Sequence, residues 1–318
     1  MKILKIFIIL IFITKFAYAH IPTSGEKNFR ENAIKKYNID KKTLNTFFHK
    51  VKIDKSILKA FERPNTAKPW HFFKNLFITE KRINDGNLFY VKYNRPLVAS
   101  FDKFGVSKDI VVSIIGIETN YGNNKGTSNV ADALYTLGFH AKRRNDFFKK
   151  ELMNFFVLVK KNNLDLFSIK GSYAGALGYP QFMPSSYLNY AIDFDNDSLV
   201  DLFNSVEDSI GSVANYLKVH GWKKDKPVVL KLPILISNEK INDHKKILTS
   251  FKDLKNKFSV DNEFKQEFDS LKVSAFNVED KSGLETWVAF KNFHVIKKYN
   301  NSTNYALAVY LLSKSFNP

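Results

Sequence analysis

Three stretches of this sequence carry residue types and spacings that could do chemistry. The first is Ile110-Val-Val-Ser-Ile-Ile-Gly-Ile-Glu118-Thr-Asn-Tyr121-Gly122. Val111, Ile114 and Ile115 precede Glu118 by seven, four and three residues, so on a helix the carboxylate ends an apolar face. Burial and the negative end of the helix dipole both disfavour the ionised form, and a general acid working near neutral pH needs that raised pKa. The plainer reading is a rim glutamate turned to solvent or paired with a lysine. The second stretch is Gly171-Ser172-Tyr-Ala-Gly175-Ala-Leu-Gly178-Tyr-Pro180-Gln181-Phe-Met-Pro184-Ser185-Ser186-Tyr187. Its glycines expose backbone amides and carbonyls, with Ser172 and Gln181 as polar tips, a surface a sugar can approach closely. It has no Walker-type pattern, which argues against a phosphate loop.

The third stretch is Asp193-Phe-Asp195-Asn-Asp197-Ser-Leu199-Val-Asp201-Leu-Phe-Asn204. Carboxylates at positions 1, 3, 5 and 9 and the Leu199 carbonyl at position 7 match a calcium-binding loop. Ser198 stands where the turn glycine belongs, and Asn204 where a bidentate glutamate belongs. Glu207 or Asp208 could supply the missing oxygen, or Asp208 could cap the next helix in a Ser205-x-x-Asp208 box. Four like charges this close favour a cation, Ca2+ or Na+, in a structural role; catalysis calls for no cofactor.

The elements that must position these groups follow from periodicity and punctuation. Ser107 suits an N-cap, Asp109 a first helical turn, and Gly122 the position just past the end of the Glu118 helix. Pro69-Trp70-His71-Phe72-Phe73 reads as a loop carrying aromatics, after the turn cluster Arg63-Pro64-Asn65. An apolar segment starts at Asp85-Gly86 and runs to Phe104, bent at Pro96. Arg143 and Arg144 precede an amphipathic helix with Phe148, Leu152, Phe155, Phe156 and Val159 on one face; the pair is a solvated helix start or a carboxylate clamp. A helix with Ile210, Val213, Ala214 and Leu217 inward stops at Gly221-Trp222. Val228–Ile236 and Leu271–Phe276 read as strands of a small β insertion. Tyr299-Asn300-Asn-Ser302 is a polar turn feeding a last helix.

Composition sets outer limits. The 318 residues, 44% hydrophobic and 25% charged, make a globular chain able to bury a sizeable core. Met1–Lys5 is a basic start, Ile6–Ile13 an apolar run too short to span a bilayer, and Ala17-Tyr18-Ala19 a cleavage signal. The expectation is an exported, periplasmic protein cut after Ala19, with no permanent membrane anchor. Without cysteine it has no disulfide, no thiolate metal site and no lipid-acceptor residue, so it is not expected to be a lipoprotein. The net charge of +18 falls to +15 once Lys2, Lys5 and Lys15 leave with the signal. Export argues against nucleic acid, and the scattered lysines suit an anionic cell-envelope polymer.

Together, G-I-E-T-N-Y-G around Glu118, the glycine-serine run, the D-x-D-x-D loop, A-N-Y-L-x-x-H-G-W and Y-N-x-S-x-x-Y-A-x-A-V resemble the lytic murein transglycosylase B family, in that family's order. The resemblance runs from about residue 70 to the C-terminus and is weakest through 223–286. It implies an α+β, predominantly α-helical protein: a signal peptide at 1–19, an N-terminal helical part at 20–95, a lysozyme-like core at 96–222 with the calcium-type loop, the β insertion at 223–286, and a return to the core at 287–318. It implies a monomer that cuts the β-1,4 bond between N-acetylmuramic acid and N-acetylglucosamine of peptidoglycan. Carried over by position, Glu118 is the sole acid/base. Ser172, Gln181, Tyr216, Tyr299, Asn300 and Tyr305 fall on residues that hold the glycan, and Arg143 and Arg144 on a pair near the sugar or stem peptide. Asp193, Asp195, Asp197, Leu199 and Asp208 fall on the metal loop. Phe73 stands where the family has a tyrosine; its ring could stack on a sugar but cannot donate a hydrogen bond. Ordinary glycosidases need two carboxylates, and the sequence around Glu118 offers no obvious second, which suits an intramolecular attack by the muramyl 6-hydroxyl. A hydrolytic muramidase and a non-catalytic basic wall-binding protein are the rival readings.

Overall fold

Apolar periodicity and side-chain caps account for most of the elements in the computed structural model, which describes residues 23–62, 68–238, 241, 249–260 and 264–318. The signal at 1–19 with its cleavage after Ala19, and the cluster Arg63-Pro64-Asn65, lie outside the described residues. The chain divides into two compact units, one ending at Val51 and one starting at Lys52. In the first, α1 (Ser24–Tyr37) opens with a capping box between Thr23 and Glu26. Asp40 caps α2 (Lys41–Lys50) through the Thr43 amide. Phe29 and Phe48 meet edge-on at 6.2 Å, with Arg30 over the Phe48 ring.

The second unit holds every candidate site. Its centre is α7 (Lys108–Thr119), whose residues Ile110 through Ile117 are all buried. The expected apolar stripe is therefore an apolar cylinder, as a helix packed on all sides must be. Its neighbours are α5 (Glu80–Lys92), α6 (Asn94–Phe104), α11 (Val206–Val219) and α14 (Thr303–Ser313). The segment expected to bend at Pro96 breaks instead at Tyr93, and Pro96 lies in the first turn of α6. A proline is tolerated there because no intrahelical partner awaits its missing N–H. The expected aromatic loop at 69–73 is a helix, α4 (Trp70–Phe77), with Trp70 and Phe73 buried.

Helices α8 (Val130–His140) and α9 (Asn145–Lys161) form an antiparallel pair, and α3 (Lys55–Glu62) packs on α8. The five residues Phe148, Leu152, Phe155, Phe156 and Val159 are buried on α9 as their spacing predicts. A two-stranded ribbon pairs β1 (Ser128–Asn129) with β2 (Lys170–Gly171), Ser128 opposite Gly171. It ties the chain just after Glu118 to the start of the glycine-serine run. Helix α10 (Pro184–Tyr190) ends that run.

The insertion is a four-stranded antiparallel sheet in the order β3-β6-β5-β4, from β3 (Val229–Lys231), β4 (Thr249–Ser250), β5 (Lys272–Asp280) and β6 (Gly283–Ala289). Helix α12 (Phe251–Phe258) supplies Phe251 and Leu254 to its core. The strand expected over 228–236 stops early at Lys231, two residues before Pro233, which has no N–H to extend the ladder. The boundaries expected at 95 and 286 fall inside α6 and β6, so the sequence-based divisions cut two continuous elements. Helix α13 (Lys291–Tyr299) returns the chain to α14.

Candidate active site

Helix α7 ends one residue after Glu118. Asn120, Tyr121 and Gly122 then adopt left-handed backbone in succession, with φ of 50°, 59° and 91°. The helix thus stops at Asn120 rather than at Gly122, and Ser107 at its start makes no side-chain cap. Gly122 is required all the same: a Cβ there would lie 2.0 Å from a Tyr179 ring carbon. The reversal is fixed by hydrogen bonds. Thr119 Oγ1 donates to the Tyr179 carbonyl and accepts from the Gly122 amide, and the Tyr121 hydroxyl donates to the Arg82 carbonyl. Glu118 therefore projects from a rigid helix tip.

Glu118 is half-buried, and its Oε1 accepts a 2.6 Å hydrogen bond from the Tyr305 hydroxyl. Burial pushes its pKa up to about 7, and the Tyr305 hydrogen bond opposes that rise. Tyr305 and Tyr299 are both held well above the usual tyrosine range, first by burial and next by the Glu118 charge, so both stay protonated donors. Tyr299 donates to the Pro180 carbonyl of the glycine-serine run, and Tyr216 donates to the Lys298 carbonyl at 2.6 Å. The Tyr216 and Tyr299 rings meet at 4.9 Å, and Phe182 lies within 5.7 Å of both. Tyr305, Tyr299 and Tyr216 thus form a row of phenols beginning at the acid.

In the run itself Ser172 Oγ accepts from the amides of Ala174 and Ala176, which leaves its own proton to donate. Gln181, left-handed at φ 49°, donates both amide hydrogens, to the carbonyls of Lys125 and Gly178, and keeps its oxygen as an acceptor. Asn300 is exposed just past α13. The structure therefore groups Glu118 with Tyr305, Tyr299 and Tyr216, and joins Tyr299 and Gln181 to the glycine-serine run.

Other expected residues are placed differently. Arg143 donates to the Phe61 carbonyl and lies over the Phe61 ring, while Arg144 lies over Phe147. Neither makes a contact with Glu118 or its tyrosines among the described residues. Phe73 is on α4, which packs against α14, the helix carrying Tyr305; its buried ring faces Phe77 at 5.8 Å. It is part of a helix core, not the tip of an aromatic loop.

In the acidic loop the oxygens of Asp193, Asp195 and Asp197 lie within 4.8 Å of one another. Asp193 Oδ1 is buried with no hydrogen-bond partner, an orphaned acceptor that a cation would satisfy. Ser198 adopts the left-handed conformation at φ 75° that its glycine-like position demands. Asp208 makes its contacts within the protein. Fully buried, it accepts from the Phe194 and Asp201 amides, so it clasps the loop from behind and stands outside the ligand triad. Ser205 caps the Asp208 amide as predicted, but the Asp208 carboxylate does not reach back, so the box is half formed. Asp201 is spent on the amides of Phe203 and Asn204.

Two features escaped the sequence reading. His220 stacks on Tyr216 at 4.0 Å, with Tyr190 edge-on to both; the four-residue spacing of Tyr216 and His220 on α11 was the available signal. Glu151, buried on α9, accepts from the Ser185 amide and hydroxyl and so caps α10 from another helix. No local pattern announces that contact.

Residues 23–314 match the family described as the transglycosylase SLT domain. The chain is 32% identical over 319 residues to membrane-bound lytic murein transglycosylase B of Escherichia coli strain K12, covering 94% of this chain and 83% of that protein. It superposes on soluble lytic transglycosylase SltB1 of Pseudomonas aeruginosa with a TM-score of 0.84 at 38% identity, over 91% of this chain and 97% of that one. The E. coli lytic transglycosylase Slt35, solved in complex with calcium, gives a TM-score of 0.83 at 32% identity, over 92% of both chains.

Proposed function

The chain belongs to the lytic murein transglycosylase family, with that family's lysozyme-like, predominantly helical fold, and we propose that Glu118 alone performs both proton transfers of a non-hydrolytic cleavage of peptidoglycan. The observation that carries this reading is the environment of Glu118: burial raises its pKa, the Tyr305 hydroxyl is its hydrogen-bond partner, and among the described residues no carboxylate is bonded to it. A two-carboxylate glycosidase places its partner about 5–10 Å away, where like charge would register. Protonated near neutrality, Glu118 gives its proton to the glycosidic oxygen between N-acetylmuramic acid and N-acetylglucosamine. The C1–O bond breaks as the 2-acetamido group supports the developing cation. The muramyl 6-hydroxyl then attacks C1 of its own ring, and its proton returns to Glu118, leaving a 1,6-anhydro end with no water consumed. Proximity within one sugar replaces an activated water.

Around that step Tyr305 orients the carboxyl. Ser172 donates, the Gln181 oxygen accepts, and Tyr216, Tyr299 and Asn300 border the strand. Phe73 contributes apolar packing on the helix beside α14, and Arg143 and Arg144 serve a distal part of the substrate such as the stem peptide. Asp193, Asp195 and Asp197 with the Leu199 carbonyl would hold a structural Ca2+, the ion of the Slt35 complex. Such an ion would neutralise three carboxylates and brace the loop, with no part in the proton transfers. The protein acts as a periplasmic monomer without a permanent membrane anchor; among the described residues no helix is long and apolar enough to cross a membrane. Mass spectrometry of digested sacculi tests the reaction. Anhydromuramyl ends are expected; products heavier by one water, with reducing ends, would make the enzyme a hydrolase.

A further inference from the structure

We propose that Tyr190 and His220 form an outer glycan subsite, which grips an amino-sugar ring of the strand beyond the rings that flank the cleaved bond. The proposal rests on the glycan-cleaving reading above and adds two residues to it. From Tyr299, beside the acid, one ring step of 4.9 Å reaches Tyr216 and a second of 4.0 Å reaches His220. Tyr190 closes the group, its ring 4.9 Å from Tyr216 and 5.0 Å from His220. The inner ring, Tyr216, is buried and its hydroxyl is spent on a carbonyl. The outer two are half-exposed. Their ring faces are thus open in part to a ligand.

The polar tips of the outer rings also remain unspent. His220 Nδ1 lies 2.7 Å from the Tyr216 carbonyl, which can only accept, so Nδ1 donates there and Nε2 is the nitrogen left for a ligand. Among the described residues neither Nε2 nor the Tyr190 hydroxyl has a protein partner, whereas the rings themselves are held firmly. The Nδ1 contact fixes the imidazole, and Asn215 Nδ2 donates at 2.9 Å to the Tyr190 carbonyl, pinning the end of α10 to α11. Rigid aromatic faces with free hydrogen-bonding tips suit a pyranose, which presents an apolar C–H face ringed by hydroxyl and acetamido groups. Two ring steps from Tyr299, the pair is placed to meet a longer strand and not a short fragment.

Binding to purified glycan fragments of one and of three disaccharide units, measured by calorimetry in the Glu118→Gln background so that nothing turns over, tests this. His220→Ala and Tyr190→Ala should each weaken the three-unit fragment about tenfold, the loss of one ring stack, and the one-unit fragment by less than about twofold. Tyr190→Phe, which keeps the ring and fits the same space, should weaken only the longer fragment, and by a smaller factor. It carries the test should either alanine variant fold poorly. Equal weakening at both lengths would mean that the rings merely support Tyr216, and unchanged binding of the long fragment would mean that they are idle; either overturns the proposal. Whether the wild type leaves anhydro ends is a separate readout, so a failed subsite and a failed reaction assignment are distinguishable.

Discussion

Tyr305→Phe removes one atom and should move the pH profile of the reaction in a direction that the geometry fixes. The Tyr305 hydroxyl donates to Glu118 Oε1 at 2.6 Å and holds down a pKa that burial raises to about 7. A hydrogen bond to an ionised group contributes about 1.5–3 kcal/mol, and each pKa unit corresponds to about 1.4 kcal/mol, so its loss should raise Glu118 by about one to two units. The general acid works while protonated. Activity should therefore fall as pH rises through about 7 in the wild type and through roughly 8 to 9 in the variant. The absolute rate should drop at every pH, because the carboxyl loses its orienting partner. The assay is the initial rate of anhydromuropeptide release from purified sacculi between pH 5 and 10, at constant ionic strength because the protein is strongly basic. A competing effect has the opposite sign: water entering the space left by the hydroxyl would solvate the carboxylate and hold its pKa near or below 7. An alkaline limb that stays put or moves to lower pH would refute the assignment of Tyr305 as the group that tunes the acid.

Glu118→Gln should abolish cleavage yet stabilise the fold at high pH. Because the folded pKa is raised from 4.5 to about 7, wild-type stability relative to the variant is unimpaired below pH 4.5 and falls by up to ~3 kcal/mol as pH climbs to 7. Melting curves should therefore coincide at pH 4.5 and favour the variant by pH 8; a gap independent of pH would contradict a buried acid. Gly126→Ala should destabilise the protein by about 2–3 kcal/mol and cripple activity, since a Cβ at φ 87° would lie 2.1 Å from the Gly171 carbonyl and wedge the β1–β2 ribbon apart. Denaturant midpoints measure the cost; a loss below about 0.5 kcal/mol would show that the ribbon adapts. Calcium at about a hundred times its dissociation constant should add about 2.7 kcal/mol of stability, and Asp195→Asn with Asp197→Asn should erase that gain. A wild-type melting temperature indifferent to both calcium and chelator would remove the ion from the loop.

Local chemistry made much of this legible. The run of branched apolar residues ending on Glu118 fixes a helix with an acid at its tip, because periodicity and burial are properties of one segment. The five motifs, met in order, carry the family. The misreadings share a physical cause. Pro69 followed by four bulky residues looks like a loop until α14 offers those aromatics a surface, and packing then overrides punctuation. Pro96 looks like a hinge because the sequence does not reveal that Tyr93 has already broken the helix. Strand β6 pairs along its length with β5, and its first half alternates too weakly to announce itself before that partner is known. Asp208, given as a ligand by its position in the family motif, is buried and accepts from two backbone amides, contacts that no local pattern announces.

That last case sharpens how an acid can be told from a structural carboxylate. Glu151, Asp208 and Glu118 all have pKa values raised by burial. Glu151 accepts from the amide and hydroxyl of Ser185, and Asp208 from two amides, so for both the protein supplies donors on each oxygen and the charge has work as a clasp. Glu118 receives one donor on one oxygen and keeps partial exposure, so a proton can occupy the other oxygen and a substrate can reach it. Direction of shift alone would not separate the three; the count of donors and the route to the outside do. The same reasoning bears on the nucleophile. A second carboxylate close enough to attack or to activate water would raise Glu118 further by like charge, whereas burial is the first cause of its raised pKa. On the proposed reading Glu118 is the one proton carrier, and the group that closes on C1 would come from the sugar.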